Sequence, residues 1–92
     1  MNMDKLKADI EMLVGKQISI TGFRYETVGA ENLHGTVIEG IADGVEFEAM
    51  TFSKVLTEYL EKMPKSWFPF KTSIVKRTSD AGYDYYSFAR KR

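Results

Sequence analysis

The chain of 92 residues is long enough for one domain with one modest core. Its composition, 43% hydrophobic and 28% charged, is typical of a globular protein and argues against disorder. The absence of cysteine excludes disulfide bonds and thiolate metal sites. No apolar run approaches the roughly 20 residues of a membrane span, and the N-terminus lacks an apolar signal-peptide region. We therefore expect a single domain over 1–92, located in the cytoplasm and without membrane contact.

Positive and negative charges balance at 13 each, but they are unevenly distributed. Residues 26–48 contain six acidic residues and no Lys or Arg. Residues 62–92 contain eight of the 13 basic residues, with Asp80 and Asp84 as the acidic ones. A dedicated nucleic-acid-binding protein is usually basic overall, so the net charge of zero argues mildly against that role. The basic C-terminal third, which ends in the short tail 90–92, argues for it.

The first predicted element is an amphipathic helix over 3–14. Its apolar residues recur at helical spacing, and Gly15 follows where a helix C-cap would lie. A helix of this length needs packing to persist, so it should lie against the rest of the domain. A strand over 16–25 is predicted next.

This strand changes its apolar register at Gly22. Ile18 and Ile20 alternate with polar residues, but the next apolar residues, Phe23 and Tyr25, come one position late. Because successive side chains of a strand point to opposite faces, the slip moves the apolar set to the other face. A glycine at such a point is typical of a bulge or a sharp bend. We predict that Gly22 lets one strand serve two sheets.

The remaining elements are two strands, a helix and a second pair of strands. Asp43-Gly44 is a strong hairpin signal between the first two strands. Thr51 or Ser53 can cap the helix, and Pro64 ends it. The stretch 26–35, between the strand over 16–25 and the next strand, is polar and is predicted to be a loop. The predicted ranges are 36–42 and 45–50 for two strands, 51–63 for the helix, and 70–77 and 83–89 for the last hairpin.

Three strands, a helix and two strands are the element order of the OB-fold. The sequence therefore predicts a mainly β (α+β) domain, an OB-like five-stranded Greek-key barrel with an N-terminal helix and a helix between strands three and four. The double-stranded-RNA-binding arrangement, α-β-β-β-α, is a competing fold, but it leaves the last two strands unexplained. We expect these residues to be buried: Ile18, Ile20, Val37, Ile41, Val45, Phe47, Val55, Leu56, Leu60 and Ile74.

Enzymatic chemistry has little support in the sequence. His34 is the one histidine, so sites with several His or Cys ligands and Cys–His nucleophiles are excluded. Asp43, Glu46 and Glu48 are close in sequence, but a solvated strand face is far more common than a metal site. The glycines form no phosphate-binding motif. We expect no enzyme activity, no metal and no cofactor.

The C-terminal third interleaves aromatic and basic residues. Single-stranded nucleic acid needs this combination, because aromatic faces stack on bases at about 1–3 kcal/mol each and cations follow the phosphates. The alternative is that a small barrel uses most of these aromatics in its core. The stacking candidates are Phe23, Tyr25, Trp67, Tyr83, Tyr85 and Tyr86, and the candidate phosphate contacts are Arg24, Lys71, Lys76, Arg77 and Arg90.

Negative charge lies on the predicted second and third strands, at Glu39, Glu46 and Glu48. These strands form the usual binding face of an OB-fold, and phosphate would be repelled there. A nucleic acid would therefore have to follow strands one, four and five. The alternative is that the acidic surface binds a basic protein partner.

Four stretches carry a family resemblance: GKQISITGFRYE, DGVEFEAMTFSKVLTEYLEKM, FPFKTSIVKR and YDYYSFA. Over residues 15–90 the chain resembles small phage-encoded OB-fold proteins related to single-stranded-DNA-binding proteins. The resemblance implies single-stranded DNA binding in phage DNA replication or recombination, in the host-cell cytoplasm. The chain departs from these proteins in its acidic strands and its predicted N-terminal helix. The alternative is a protein-binding module, for example a phage factor that binds or inhibits a host enzyme, and the possibility of a homodimer is left open.

Overall fold

The structure, a computed structural model, describes residues 6–89. The predicted mainly β (α+β) class is confirmed. No helix within the described residues is long and apolar enough to cross a membrane. A short 3-10 turn lies at Lys65–Trp67. The elements are β1 (Leu6–Asp9), α1 (Ile10–Leu13), β2 (Ile18–Val28), β3 (Leu33–Ala42), β4 (Val45–Thr51), α2 (Lys54–Lys62), β5 (Phe70–Thr72), β6 (Ile74–Thr78) and β7 (Asp84–Phe88).

Five strands form one sheet, in the order β1-β4-β3-β2-β5, and β6 and β7 form a separate two-stranded sheet. β1 is parallel to β4, and the other pairs are antiparallel. Within the described residues the large sheet is not closed into a barrel, so the predicted closed barrel is not confirmed. The predicted strand 70–77 is divided at Ser73, and its two halves pair in different sheets.

The large sheet has an inner face, covered by α2, and an outer face. Ile20, Ile38 and Phe47 lie on the inner face and are fully buried. Leu56 and Leu60 on α2 belong to the same core cluster, because they recur on one side of the helix. The small sheet adds Ile74 and Phe88 to this core, which holds the two sheets together.

Most of the predicted core is confirmed. Ile41, Val45 and Val55 are the exceptions, since all three are exposed. Ile41 is paired with Glu46 on the outer face, Val45 lies at the hairpin tip, and Val55 lies on the flank of α2. The buried members of the prediction are Ile18, Ile20, Val37, Phe47, Leu56, Leu60 and Ile74.

The predicted irregularity near Gly22 is a β-bulge. The register with β3 shifts between Ile20 and Gly22, so Thr21 is the extra residue. The partners across the bulge are Ile20–Gly40, Gly22–Glu39 and Phe23–Ile38. Residues 38 and 40 share a face of β3, so Ile20 and Phe23 also share a face of β2. The predicted change of buried face is therefore wrong, because the extra residue absorbs the slip in the sequence pattern.

The predicted N-terminal helix is wrong over Leu6–Asp9, which forms β1, and the helical segment is the single turn α1. Residues 3–5 of that prediction lie outside the described residues. Leu6, Ala8 and Ile10 also alternate with polar residues, and the edge of β4 supplies backbone partners for a strand. After α1, Val14 forms a parallel bridge to Ile74. The N-terminal segment therefore lies between β4 and the small sheet.

The turn and cap predictions are confirmed in part. Asp43 and Gly44 both have positive φ, 53° and 79°, which is the conformation that a two-residue hairpin turn requires. Ser53 is the N-cap of α2, with its side chain accepting a hydrogen bond from the Leu56 amide at 3.2 Å. The predicted loop 26–35 is shorter than expected, because β2 and β3 extend the hairpin on both sides.

Candidate nucleic-acid interface

Aromatic rings form a contact chain from β2 to β5. The ring centroid of Phe23 lies 5.7 Å from that of Tyr25 and 6.3 Å from that of Phe68. Phe68, which follows the 3-10 turn, lies 5.4 Å from Phe70 on β5. We call these four residues the aromatic ridge. Its contact distances are those of favourable aromatic pairs, which hold the rings in fixed relative positions.

The ridge is exposed at one end and beside the 3-10 turn. The Tyr25 side chain is 57% exposed, and Trp67, the residue before Phe68, is 61% exposed. The Tyr25 hydroxyl donates a hydrogen bond to Glu61 on α2 at 2.5 Å. This bond, together with partial desolvation, raises the pKa of Tyr25 above its usual value. Phe23, Phe68 and Phe70 are half-buried and pack against the core.

A pocket of about 270 Å³ lies between the bulge of β2 and the 3-10 turn. Phe23 and Phe68 provide its aromatic lining, and Lys65 lies at its edge. We call it the bulge pocket. Its lining residues are Thr21, Gly22, Phe23, Lys65 and Phe68.

Six exposed cations have no acidic partner within the described residues, and three of them, Lys65, Lys71 and Arg77, lie in the 3-10 turn or the strands that follow it. The other three are Lys7 on β1 and Lys54 and Lys62 on α2. Lys71 on the edge strand β5 is paired with Ser19 of β2, so it lies on the outer face, beside the Asp43-Gly44 turn. A cation without a partner can contact a phosphate without first breaking an ion pair. These residues are therefore better suited to phosphate contacts than the cations that already have acidic partners.

Lys76 and Tyr86 are cross-strand neighbours in the small sheet, and both contact Glu11 of α1. The Tyr86 hydroxyl donates a hydrogen bond to the Glu11 carboxylate, and the Lys76 ammonium lies 3.3 Å from it. The Lys76 ammonium also lies 5.8 Å from the centre of the Tyr86 ring. The hydrogen bond from Tyr86 is the main cause that lowers the pKa of Glu11, and the bond from Lys76 is the second. Glu11 in turn raises the pKa of both partners.

Arg77 and Tyr85 are paired on the other face of the small sheet. Tyr85 lines a cavity of about 370 Å³ together with Phe52 and Val55, at the start of α2. Tyr83 precedes β7 and is 73% exposed. Arg77, Tyr83 and Tyr85 form a second aromatic and basic area. The buried contact between Phe70 and Phe88 links the small sheet to the aromatic ridge through the core and not across the surface.

Arg24 lies on the outer face, among three carboxylates. Its guanidinium contacts Glu26 at 3.0 Å, Glu48 at 3.4 Å, and Glu39. The hydrogen bond that the guanidinium donates to Glu26 is the main cause that raises the pKa of Arg24. The positive charge of Arg24 is therefore already matched, and its side chain lies on the opposite face of β2 from Phe23.

The structure thus divides the sequence-predicted site residues into separate groups. Phe23, Tyr25 and Trp67 belong to the ridge or adjoin it, and Lys71 lies on the neighbouring strand. Lys76, Arg77, Tyr83, Tyr85 and Tyr86 belong to the small sheet or its turn, Arg24 lies apart from both groups, and Arg90 lies outside the described residues.

Lys65 and Phe68 are not among the site residues predicted from the sequence. Both lie in the stretch PKSWFP, which reads as a link between a helix and a strand. The signal available there was a lysine close to two adjacent aromatic residues and enclosed by Pro64 and Pro69. Prolines restrict the backbone, so this short segment can hold its side chains in defined positions without regular secondary structure.

Residues 4–89 match a family described as a domain of unknown function (DUF8468). The chain belongs to this family. No curated protein and no solved structure matches the chain. In this DUF8468 domain, no group of three or more His, Asp or Glu side chains among residues 6–89 could hold a metal ion.

The acidic residues on β3 and β4 of the DUF8468 domain are separated from the aromatic ridge by the sheet itself. Glu39 and Glu48 are paired on the outer face, whereas Phe23 is on the inner face at the edge of α2. Glu46 is two residues before Glu48 on the same strand and also lies on the outer face. The carboxylates that made the second and third strands unsuitable for phosphate therefore do not line the ridge.

Proposed function

We propose that this domain binds single-stranded DNA, without strong sequence preference, along β2, the 3-10 turn and β5. The observation that carries the proposal is the aromatic ridge, with Lys65 at its side. Lys71 lies on the outer face of the edge strand β5, so its long side chain reaches this path around the free edge of the sheet. Bases of an unpaired strand expose apolar faces that stack on aromatic rings, and the phosphates between them need cations at the edge of the path. The ridge and Lys65 supply both chemical groups on one face, and Lys71 adds a cation at the sheet edge.

An OB-like arrangement is part of this proposal. β2, β3 and β4 form a meander, α2 follows β4, and the chain returns beside β2 as β5 before forming the β6–β7 hairpin. This order supports an OB-like arrangement. The N-terminal segment occupies the space between β4 and β6, through β1 on one side and the Val14–Ile74 bridge on the other.

The distribution of charge limits the path of the DNA. The outer face carries Glu39, Glu46 and Glu48, which repel phosphate, and Arg24 is engaged by its carboxylate partners. We therefore leave Arg24 out of the proposed path. The small-sheet residues extend the proposed path for longer strands: Lys76, Arg77, Tyr83, Tyr85 and Tyr86. A role in phage DNA replication or recombination accompanies this proposal and rests on the sequence resemblance.

The test is a titration of a fluorescently labelled poly-pyrimidine single strand, followed by anisotropy at two salt concentrations. Phosphate contacts predict that log K falls as log salt rises, with a slope of about −0.7 per contact on a single strand. Trp67 adjoins the ridge, so its fluorescence should change in the same titration. No anisotropy change at micromolar protein in low salt would contradict the proposal, and equal affinity for double-stranded DNA would contradict the role of stacking.

A second candidate function, a protein-binding module, is favoured by the outer face. This face combines Glu46 with the exposed Ile41, which are cross-strand partners. An acidic surface with an exposed apolar residue fits a basic protein partner. A pull-down from nuclease-treated lysate of the source cells should recover a stoichiometric protein with the wild type and lose it with Glu46→Lys, but not with Glu31→Lys in the exposed turn. Recovery of no such protein counts against this candidate.

A further inference from the structure

Beside the bulge, the edge of β2 that faces β5 has no sheet partner in the part of the chain that the structure describes. Among the described residues, β5 pairs with β2 over residues 18–20, and from Thr21 onward the strand has a sheet partner on the β3 side alone. Along the free edge of a strand, alternate backbone N–H and C=O groups point away from the paired side. The N–H groups can donate hydrogen bonds to a ligand and the C=O groups can accept them. The edge of a nucleobase carries matching donors and acceptors.

The rings of Phe23 and Phe68 line the same pocket. Their centroids are 6.3 Å apart and the rings are tilted by 35°, so they form an angled apolar wall on which a flat ring can stack. The volume of about 270 Å³ falls just below the range of typical small-molecule sites, which favours a small aromatic group over a large ligand.

The charge at the pocket is positive. Lys65 has no acidic partner within residues 6–89, and Lys62 ends α2 three residues earlier. The nearby carboxylates are engaged, since Glu61 accepts the hydrogen bond of Tyr25 and Glu39 is paired with Arg24. An apolar wall beside an unmatched ammonium group is complementary to a base with an adjacent phosphate, and not to a cation.

From this geometry we propose that the bulge pocket holds one nucleobase of the bound single strand, with Lys65 on the adjacent phosphate. The proposal rests on the proposed DNA-binding function and adds a discrete site to it. The base stacks on Phe23 and Phe68, and its edge faces the unpaired backbone of Thr21 and Gly22. Other bases along the ridge stack without such backbone contacts.

Two variants test the site in the oligonucleotide titration. Phe68→Leu keeps an apolar side chain but removes the aromatic face, and it should lower the affinity roughly 5- to 150-fold, the loss of one stacked base. Lys65→Gln should reduce the salt slope by about 0.7. The matched controls are Phe68→Tyr, which keeps the aromatic face and should retain affinity, and Lys7→Gln on β1, which removes a charge away from the pocket and should leave the slope unchanged.

A second measurement does not depend on the variants. Thymidine monophosphate should shift the amide NMR signals of Thr21 and Gly22, whereas inorganic phosphate should not. Equal shifts with both probes would overturn the base site and leave an anion site only. If the oligonucleotide binds but both variants behave like their controls, the pocket proposal is overturned while the DNA-binding proposal stands. If no oligonucleotide binds the wild type, the DNA-binding proposal fails first.

Discussion

Gly40 of β3 lies so close to β2 that a Cβ atom at this position would stand 2.3 Å from the carbonyl oxygen of Ser19. The same atom would lie 2.9 Å from the ring of Phe47. Gly40 faces Ile20, directly before the bulge, so its missing side chain allows the two strands and the core ring to approach at the point where β2 is irregular. Gly22 differs, because a Cβ there would meet one atom, at 3.8 Å.

Gly40→Ala should therefore destabilise the fold, since neither backbone nor ring can give way without moving the core. Overpacking of this kind costs about 1–3 kcal/mol, and the contact with a backbone oxygen favours the upper part of that range. Urea unfolding measures the change. Gly22→Ala is the matched control and should change the free energy of unfolding by less than about 0.5 kcal/mol. A larger loss for Gly22→Ala than for Gly40→Ala would contradict this account.

The apolar stripe of α2 has a buried side and an exposed side. Leu56→Ala removes a fully buried side chain and should cost about 2–5 kcal/mol in chemical unfolding. Val55→Ala, one residue earlier on the 40% exposed flank, should cost less than about 1 kcal/mol. Similar losses for the two variants would mean that the flank of α2 is as well packed as its core side.

The contact between Glu11 and Tyr86 makes a pH-dependent contribution to stability. The Tyr86 hydroxyl and the Lys76 ammonium favour the ionised carboxylate, so the pKa of Glu11 in the folded protein lies below its usual value of 4.5. A carboxyl with a depressed folded pKa stabilises the fold above its unfolded pKa and loses that contribution as pH falls through its folded pKa. The contribution of Glu11 should therefore be present at neutral pH and disappear in acid.

The measurement is the difference in the free energy of unfolding between wild type and Glu11→Gln, between about pH 7 and pH 3. The difference should be constant at pH values above 4.5, the usual pKa of Glu11, and shrink at lower pH. Glu31→Gln, in the exposed turn between β2 and β3, is the control and should show no such trend. A difference that grows as pH falls would mean that folding raises the pKa of Glu11, which would contradict the contact.

Local patterns explain which elements the sequence predicted well. The Asp43-Gly44 turn, the Ser53 cap and the Leu56–Leu60 spacing each depend on residues that are neighbours in the chain, so the sequence carries the whole signal. The N-terminal segment depends on a distant partner. Its residues fit both a helix and a strand, and the free edge of β4 decides between them.

The site was less predictable because it depends on faces and partners. The sequence places Arg24 next to Phe23 and suggests it as a phosphate contact. Adjacent residues of a strand face opposite sides, however, and the outer face holds the carboxylates that engage Arg24. Phe68 and Lys65 became site residues because the 3-10 turn brings them to the bulge. Contacts between segments that are far apart in sequence leave no periodic signal.

Arg24 and Lys71 should respond differently to the same loss of charge. Arg24→Gln leaves Glu39 and Glu48 facing each other across β3 and β4, and like charges directly opposite are destabilising. We expect a loss of about 1 kcal/mol in the free energy of unfolding, largely recovered by Glu48→Gln in the double variant. Lys71→Gln should leave stability unchanged, because its ammonium has no acidic partner within the described residues.

In the oligonucleotide titration the substitution of Lys71, and not that of Arg24, should change the salt slope. Lys71→Gln should reduce the salt slope by about 0.7, the loss of one phosphate contact. Arg24→Gln should leave the slope unchanged at a salt concentration where both variants are folded, because Arg24 neutralises its own carboxylates. An equal reduction of the slope in both variants would identify Arg24 as a phosphate contact, as the sequence predicts, and the strand of DNA would then have to cross the outer face.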